Sequence, residues 1–416
     1  MKILWLTFHD PAPAINGQYL YSSGLISAVG RAGVAVDVAA LARPDGRHFN
    51  EQREGTITWH LAAGGEWQSS ERLLSRLPRI TLRCATSNMR SSVESLLKAN
   101  RYDAIVFDSI CVGWALSLKT LREAARNAVL VHIAHNHERT AAERMAERES
   151  RFFRKLIRQD EARKIDALER RLIAQSHFST SNTPEDLATF ESENPGKRFL
   201  LLPPGYSGRR VASRRIDPNV PRRAILVGSF NWEPKRTSLE AFLDVAAPLF
   251  SSSRIEFQVV GSAEESYLDW LRSRFPSVVF TGRVPEIFDR LAKARIAVVP
   301  DYLGGFKLKS LDYAFNRIPI FALQGSVPGV PLEEGRSVRL FSDYLSLAQG
   351  IVDQIDSFDL LNTLQVAAYR DFAPLFDWAR IGEDLVENIE RERKGMGDVT
   401  RAFDRTGIAS DALAAS

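Results

Sequence analysis

A strand-like run, a loop and a helical pattern follow one another within residues 296–319, and this unit constrains the fold most. Residues 296–300 read Ile-Ala-Val-Val-Pro, which predicts a buried strand. A glycine pair ending at Gly305 and the cations Lys307 and Lys309 follow, and leucines then recur at helical spacing. This order is typical of a parallel α/β sheet, and cations at the start of the helix indicate an anion-binding surface at the end of the strand.

The same alternation of strand-like and helical segments runs through most of the chain, with one interruption. The sequence predicts two α/β domains in tandem, each with a mostly parallel sheet. Residues rich in Pro, Gly and Arg near the middle predict an interdomain linker. We predict the following division: a first domain over residues 1–205, a linker over 206–223, a second domain over 224–375, a helix over 376–393 that packs toward the first domain, and a flexible tail over 394–416.

The length and composition favour a soluble two-domain protein and exclude several classes. The chain has 416 residues, with 44% apolar and 25% charged side chains. A net charge of +4 does not suggest nucleic acid, and no apolar window is long enough for a membrane span. Residues 1–9 predict a first strand rather than a signal peptide, and Cys84 and Cys111 lack the spacing of a metal site. We therefore expect a cytoplasmic protein without a disulfide framework.

Three loops of the second domain follow predicted strands and carry glycine or lysine. They span residues 227–237, 260–262 and 301–307. Two Rossmann-like domains in tandem are expected to turn the carboxyl ends of their strands toward a shared cleft, so these loops are candidates for ligand contacts.

In their order and spacing, these motifs resemble the donor-binding domain of retaining GT-B glycosyltransferases of the GT4-like group. The matching segments are Val227-Gly228 with Lys235, Val259-Val-Gly261, Val278-Val-Phe-Thr-Gly282, Lys307-Leu-Lys-Ser-Leu-Asp312 and Arg317-Ile-Pro319. In the first domain, the run from His135 to Glu138 is similar to the group's His-Asn-x-Glu motif. Asn16 and Gly17 are similar to its acceptor-side glycine loop. The resemblance extends to about residue 390 and implies the GT-B fold.

The chain departs from the group's pattern at three positions. Gly304 stands where the first acid of a pair is common, which removes one expected contact to the sugar. Tyr313 replaces a small residue, and Arg317 replaces a glycine.

The resemblance implies a donor site in the second domain. The implied donor-binding residues are Gly228, Lys235, Gly261, Arg283, Gly305, Lys307, Lys309 and Asp312. Lys235 and either Lys307 or Lys309 would neutralise a diphosphate that gains charge as the glycosidic bond breaks. Asp312 would accept hydrogen bonds from ribose hydroxyls, and the loop around Arg283 would meet the base.

The resemblance also implies catalytic residues in the first domain. His135 would approach the donor sugar, and Glu138 or Asp108 would hold the acceptor hydroxyl. If configuration is retained, the departing phosphate oxygen can take the acceptor proton. If it is inverted, Glu138 or Asp108 is the candidate base.

The function expected from the resemblance is sugar transfer from a UDP- or GDP-sugar to a saccharide or lipid-linked glycan in bacterial surface polysaccharide synthesis. Such a fold needs no metal, and the nucleotide-sugar is a co-substrate rather than a cofactor. Two alternatives stay open: a nucleotide-sugar epimerase of the same fold, and a non-catalytic glycan- or nucleotide-binding partner of another transferase.

Residues 72–98 form a basic amphipathic stretch. Six Arg or Lys side chains stand there against Glu94, with leucines between them. Two interpretations of this stretch stay open: it contacts the anionic inner face of the cytoplasmic membrane peripherally, or it is a solvated helix face.

Overall fold

Two α/β units make up the chain in a computed structural model. The structure describes residues 1–14, 16–44, 46, 52–64, 75–301 and 306–406, with no side-chain description for 397–406. Unit 1 contains Met1–Ser181, Asp186–Leu202 and the C-terminal residues from Trp378. Unit 2 contains Asn182–Glu185 and Pro203–Asp377.

Unit 1 is built on an eight-stranded sheet. Its strands are β1 (Lys2–His9), β2 (Ala35–Leu41), β3 (Gln52–Glu54), β4 (Ile57–Ala62), β5 (Ala104–Asp108), β6 (Val129–Ile133), β7 (Phe178–Ser181) and β8 (Arg198–Leu201). They lie in the order β3-β4-β2-β1-β5-β6-β7-β8, and every pairing except β3 with β4 is parallel. The central strands are buried on both faces, which explains their unbroken apolar sequences.

The helices of unit 1 cover both faces of this sheet. They are α1 (Gly17–Arg31), α2 (Arg79–Cys84), α3 (Ser87–Ala99), a 3-10 helix (Ile110–Ser117), α4 (Lys119–Ala124), α5 (Glu138–Glu147), α6 (Phe152–Gln175), α7 (Pro184–Glu193) and, from the end of the chain, α14 (Trp378–Thr406). A short break over residues 148–151 separates α5 from α6.

Unit 2 has a six-stranded, fully parallel sheet in the order β11-β10-β9-β12-β13-β14. The strands are β9 (Arg223–Val227), β10 (Glu256–Val260), β11 (Val278–Phe280), β12 (Ile296–Val299), β13 (Ile320–Leu323) and β14 (Val338–Phe341). The helices are α8 (Glu233–Ser252), α9 (Glu265–Arg274), α10 (Phe288–Leu291), α11 (Leu308–Phe315), α12 (Tyr344–Gln354) and α13 (Phe358–Phe372). The predicted fold class, α/β with mostly parallel sheets, is confirmed in both units.

Residues 206–223 differ from the predicted linker because they pack onto unit 2. Ile216 is fully buried in the core of this unit. The Asn362 side chain accepts from the Ile216 N–H at 2.9 Å and donates to its carbonyl at 2.8 Å. Arg317, which stands where the resembling group has glycine, holds a left-handed φ of 54° and donates to the carbonyls of Val211 and Ala212. These contacts bind the segment to the domain that follows it.

The C-terminal helix α14 packs against α1 within unit 1. Close approach depends on glycine: a Cβ at Gly24 would lie 2.1 Å from the Trp378 ring, and one at Gly382 would lie 2.7 Å from the Ala28 backbone. The helix begins at Trp378 and ends at Thr406, so residues 394–406 of the predicted flexible tail are helical. The remaining tail residues lie outside the described part of the chain.

In the described segments, no helix has the length and apolar character needed to cross a membrane. Cys84 and Cys111 are buried free thiols. Burial raises the pKa of Cys84 to about 12, so this thiol stays protonated at neutral pH.

Candidate active site

The loops that follow β9 and β10 meet at Gly228 and Gly261. Gly228 N–H donates to Val260 at 3.0 Å, and Gly261 N–H donates to Gly282 at 3.0 Å. Gly261 holds a φ of 141°, and a Cβ placed there would lie 1.6 Å from the Gly228 carbonyl oxygen. The two glycines predicted to bind the donor therefore allow three loop backbones to meet at the carboxyl edge of the sheet.

Substituting Gly261→Ala should destabilise unit 2 by about 3 kcal/mol or more, because the methyl group and the left-handed backbone both demand movement of the Gly228 loop. Gly325→Ala is the matched control, since Gly325 also has a positive φ but has open space around its Cβ position. The control should lose only about 1–2 kcal/mol. Urea unfolding of both variants checks this, and equal losses would contradict the close-approach argument.

Three predicted lysines gather around one acid in unit 2. Asp301, two residues after the end of β12, is 6% exposed and forms an ion pair with Lys309. Burial alone would raise the pKa of Asp301, but the charges of Lys309, Lys307 and Lys235 outweigh it and hold the pKa below its ordinary value. Burial lowers the pKa of Lys235, and the charge of Lys309 adds to this effect. With three cations against one anion, the cluster keeps an excess of about two positive charges.

The Lys235 ammonium has no hydrogen-bond partner among the residues that the structure describes. Lys235 is half-buried at the start of α8. Lys309, in contrast, is already paired with Asp301. Either Lys307 or Lys309 was predicted to meet an anion beside Lys235, and the ion pair shows that Lys309 already neutralises Asp301. Asp301 itself was missed, although an acid immediately after a buried strand was a visible signal.

Asp312 lies on α11 beside Tyr206, which comes from the segment before β9. Burial raises the pKa of Asp312 to about 6, while a hydrogen bond from the Tyr206 hydroxyl acts in the opposite direction. Asn316 donates to the Tyr206 oxygen at 3.2 Å. The carboxylate is thus ionised at neutral pH and suited to accept hydroxyl groups. Tyr206 was missed because its segment was predicted to be a linker.

Tyr313, which replaces a small residue of the resembling group, supports the end of β9. Its ring is fully buried, and its hydroxyl oxygen accepts from the Val227 N–H at 2.8 Å. This bond fixes the strand immediately before Gly228. Tyr313 is therefore a positioning residue for the loop that leads to Lys235.

One other predicted donor residue, Arg283, is not brought into the lysine cluster by the described contacts. Arg283 is exposed after β11 and has no ion-pair partner in the described part of the chain. Gly305 lies outside the described residues, as does Gly304. Trp232, at the N-cap of α8, is 42% exposed and so is not a core residue.

In unit 1, Asp108 and His135 form a buried pair at the ends of β5 and β6. Their side chains are joined by a hydrogen bond of 2.5 Å, and the Trp5 indole donates to the other carboxylate oxygen at 3.0 Å. Burial alone would raise the pKa of Asp108, but His135 and the hydrogen bonds from His135 and Trp5 hold it below its ordinary value. The Tyr21 ring packs edge-on against His135 with centroids 5.1 Å apart.

This geometry gives Asp108 a narrower role than predicted. Both of its oxygens are engaged, by Trp5 and His135, so Asp108 orients His135. Asp108 and His135 were both predicted from the sequence. Trp5 was missed, because it is buried in β1, and β1 lies next to β5 only in the folded sheet.

Glu138 is the first residue of α5 and lies beside the buried carboxyl group of Glu169. Glu169 of α6 is 3% exposed and accepts from the backbone N–H groups of Glu138 at 2.8 Å and Arg139 at 3.2 Å. Burial raises the pKa of Glu138, and the amide of Asn136 donates to its side chain at 3.3 Å. Glu169, which sequence reasoning missed, caps the helix that presents Glu138.

Glu169 should make stability depend on pH. Burial, with the nearby charge of Glu138, raises its pKa from 4.5 to about 8. Between these values the folded protein holds a proton that the unfolded chain has lost, so stability falls as pH rises, by at most about 1.4 kcal/mol per pH unit. Glu169→Gln cannot titrate, and its stability relative to the wild type should rise from pH 5.5 to pH 7.5 in urea unfolding. Glu143→Gln on an exposed position is the control, and a pH-independent difference for Glu169→Gln would contradict the prediction.

The predicted acceptor-side residues Asn16 and Gly17 form the N-terminus of α1. The Asn16 side chain accepts from the Tyr19 N–H at 3.0 Å, so Asn16 is the N-cap. Arg43, from the loop after β2, stacks on the Tyr19 ring at 4.5 Å and donates to the Asp10 carbonyl at 3.1 Å. Asn16 therefore has a structural role in placing the loop after β1.

Within the segments that the structure describes, no group of three or more His, Cys, Asp or Glu side chains is arranged to hold a metal ion. That the reaction needs no metal stays a prediction.

Glycosyltransferases of the GT-B fold are among the solved structures that are similar to this chain, which confirms the predicted fold. Sucrose-phosphate synthase (tll1590) from Thermosynechococcus elongatus matches with a TM-score of 0.69 and 17% identity, over 95% of this chain and 100% of that chain. WaaG, a glycosyltransferase involved in lipopolysaccharide biosynthesis, matches with a TM-score of 0.63 and 15% identity, over 94% and 99%. Anabaena Alr3699/HepE, solved with UDP and glucose, matches with a TM-score of 0.62 and 15% identity, over 94% and 99%.

The sequence of unit 2 also matches a protein family. Residues 221–357 match the family model of glycosyl transferases group 1. No curated protein sequence matches the chain. Unit 2 thus carries a group 1 glycosyltransferase domain, and the chain has the GT-B fold.

Proposed function

We propose that this enzyme transfers a sugar from a UDP- or GDP-sugar to a saccharide or lipid-linked glycan, with retention of configuration, in bacterial surface polysaccharide synthesis. The lysine cluster around Asp301 carries the proposal. It offers excess positive charge beside glycine-rich loops at the carboxyl edge of a parallel sheet, where a diphosphate fits. Alr3699/HepE, solved with UDP-glucose, and WaaG, involved in lipopolysaccharide biosynthesis, support the donor class and the pathway class.

On the donor side, Lys235 and Lys307 contact the diphosphate, and Lys309 neutralises Asp301. As the bond between sugar and phosphate breaks, negative charge grows on the leaving oxygen, and the fixed ammonium groups stabilise it more than they stabilise the ground state. Asp312 accepts hydrogen bonds from the ribose hydroxyls. Lysines take the part that a divalent cation plays in other transferases, so we propose no metal.

On the acceptor side, His135 contacts the donor sugar and Glu138 holds the acceptor hydroxyl. Asp108 supports retention, because its two oxygens already accept from His135 and Trp5 and it is poorly placed to remove the acceptor proton. In the retaining reaction that proton passes to the departing phosphate oxygen, so the donor supplies the base.

A donor panel tests this proposal. UDP- and GDP-sugars are screened by thermal shift, and the anomeric configuration of the product formed on saccharide acceptors is then read by NMR. We expect one nucleotide-sugar class to raise the melting temperature and the product to keep the donor's configuration. Conversion of the donor to its epimer without transfer would overturn the proposed reaction, and an inverted product would overturn the assignment of the base.

A further inference from the structure

The first two turns of α6 expose an unusual set of large apolar side chains. Phe152 is 69% exposed and Phe153 is 79% exposed, and their rings touch with centroids 5.6 Å apart. One turn later, Leu156 and Ile157 are each 48% exposed. Exposed apolar residues are ordinary when scattered singly, but four adjacent ones form a patch that requires an explanation.

Basic side chains occupy the opposite side of the same two turns. At about 100° per residue, the four apolar residues cover an arc of about 140°, and the basic residues cover a separate arc of about 100°. The basic residues are Arg151, Arg154, Lys155 and Arg158. Arg158 is paired with Glu149 at 3.1 Å, and Asp160 lies in the next turn. The segment is thus amphipathic, with a cationic side opposite an exposed apolar side.

This patch ends where α6 begins to pack against unit 1. Ala162, Leu168 and Leu172 are buried, so the later turns of α6 hold the helix in place while its first turns stay uncovered. The stretch predicted to contact a membrane, residues 72–98, is different: Leu77 and Ile80 pack against the core of unit 1, and residues 72–74 lie outside the described part of the chain. Over residues 75–98, the described part of that stretch, no large apolar side chain is exposed beside the arginines.

We propose that the first two turns of α6 are a docking surface for an anionic lipid membrane. Phe152, Phe153, Leu156 and Ile157 enter the boundary between headgroups and acyl chains, and the neighbouring Arg and Lys side chains pair with lipid phosphates. A lipid bilayer is favoured over a protein partner because the patch joins apolar insertion and several cations on one short surface, which matches the two components of an anionic membrane. The inference goes beyond sugar transfer and stands whatever the donor is.

Co-sedimentation of the full chain with vesicles tests the surface without any activity assay. The vesicles contain phosphatidylcholine alone or phosphatidylcholine with about one third phosphatidylglycerol. We expect binding to the anionic vesicles only, weakened by added salt. Phe152→Ser with Phe153→Ser, and separately Arg151→Glu with Arg154→Glu, should each weaken binding at least about tenfold.

Two control variants distinguish the loss of this surface from general effects of substituting an exposed residue. Leu345→Ser removes a 59% exposed leucine of unit 2, and Arg126→Glu reverses an exposed charge of unit 1 away from the patch. Both should bind vesicles like the wild type. The proposal is overturned if the α6 variants bind vesicles as the wild type does, or if Arg79→Glu with Arg83→Glu abolishes binding instead. It is also overturned if the α6 variants change only a monomer–dimer equilibrium in sedimentation. Loss of vesicle binding with intact donor binding would leave the proposed reaction untouched.

Discussion

Replacing Lys309 by alanine should lower both the stability of unit 2 and its affinity for a nucleotide diphosphate donor. The substitution leaves the buried Asp301 without its direct ion-pair partner, and such a break costs about 3–5 kcal/mol in general. Because Lys235 and Lys307 remain nearby, we expect a loss near the lower end of this range. The unpaired Asp301 carboxylate then attracts the ammonium groups of these two lysines, which leaves less positive charge for the donor. Donor affinity should therefore fall about tenfold or more. Urea unfolding and calorimetric donor titration measure the two effects.

A double variant separates the two roles that Lys309 could have. Lys309→Met with Asp301→Asn removes both charges, and the cluster keeps the same net charge through Lys235 and Lys307. If Lys309 acts by neutralising Asp301, the double variant should recover stability to within about 1 kcal/mol and donor affinity to within a few fold. Recovery of stability without recovery of affinity would show instead that Lys309 contacts the donor.

Asp108→Asn should reduce turnover about 100-fold or more while leaving donor affinity nearly unchanged. The amide cannot accept from both His135 and Trp5 as the carboxylate does, so the imidazole loses its fixed orientation and its stabilising charge. Since Asp108 belongs to unit 1 and the lysine cluster belongs to unit 2, donor binding should be spared. The measurement compares kcat for transfer, or for donor hydrolysis, with calorimetric donor affinity.

The control for this substitution is Asp160→Asn, on an exposed surface of α6, where kcat should not change. A loss of donor affinity equal to the loss of kcat in Asp108→Asn would mean that the residue acts on folding or donor binding rather than on the reacting centre. Wild-type kcat in this variant would remove Asp108 from the mechanism.

The sheets and half of the candidate site were predictable because they depend on local sequence. Apolar runs bounded by Gly and Pro marked the central strands, and the order of glycine loops marked the group to which unit 2 belongs. Gly228 and Gly261 were predictable for the same reason, since each directly follows a strand and the ends of parallel strands meet at one edge. His135 and Asp108 also follow neighbouring strands.

The contacts that define the chemistry of these residues were not predictable, because they join distant parts of the chain. Trp5 meets Asp108 across 103 positions, and Tyr206 reaches the helix of Asp312 from a segment that looked like a linker. The pairing of Lys309 with Asp301 spans a loop whose path the sequence does not determine. The exposure of Phe152 and Phe153 depends on where α6 begins to pack, and an apolar pair alone predicts burial.

The central claim is that the lysines around Asp301 bind the diphosphate of a nucleotide-sugar. Isothermal titration calorimetry of UDP and GDP, with UMP and GMP for comparison, on the wild type, Lys235→Ala and Lys293→Ala tests it most directly. We expect one nucleoside diphosphate to bind more tightly than its monophosphate. Lys235→Ala should weaken this binding by about tenfold to 100-fold, and substitution of the exposed Lys293 by alanine should leave it unchanged. Equal affinity for diphosphate and monophosphate, or diphosphate binding that Lys235→Ala does not alter, would contradict it.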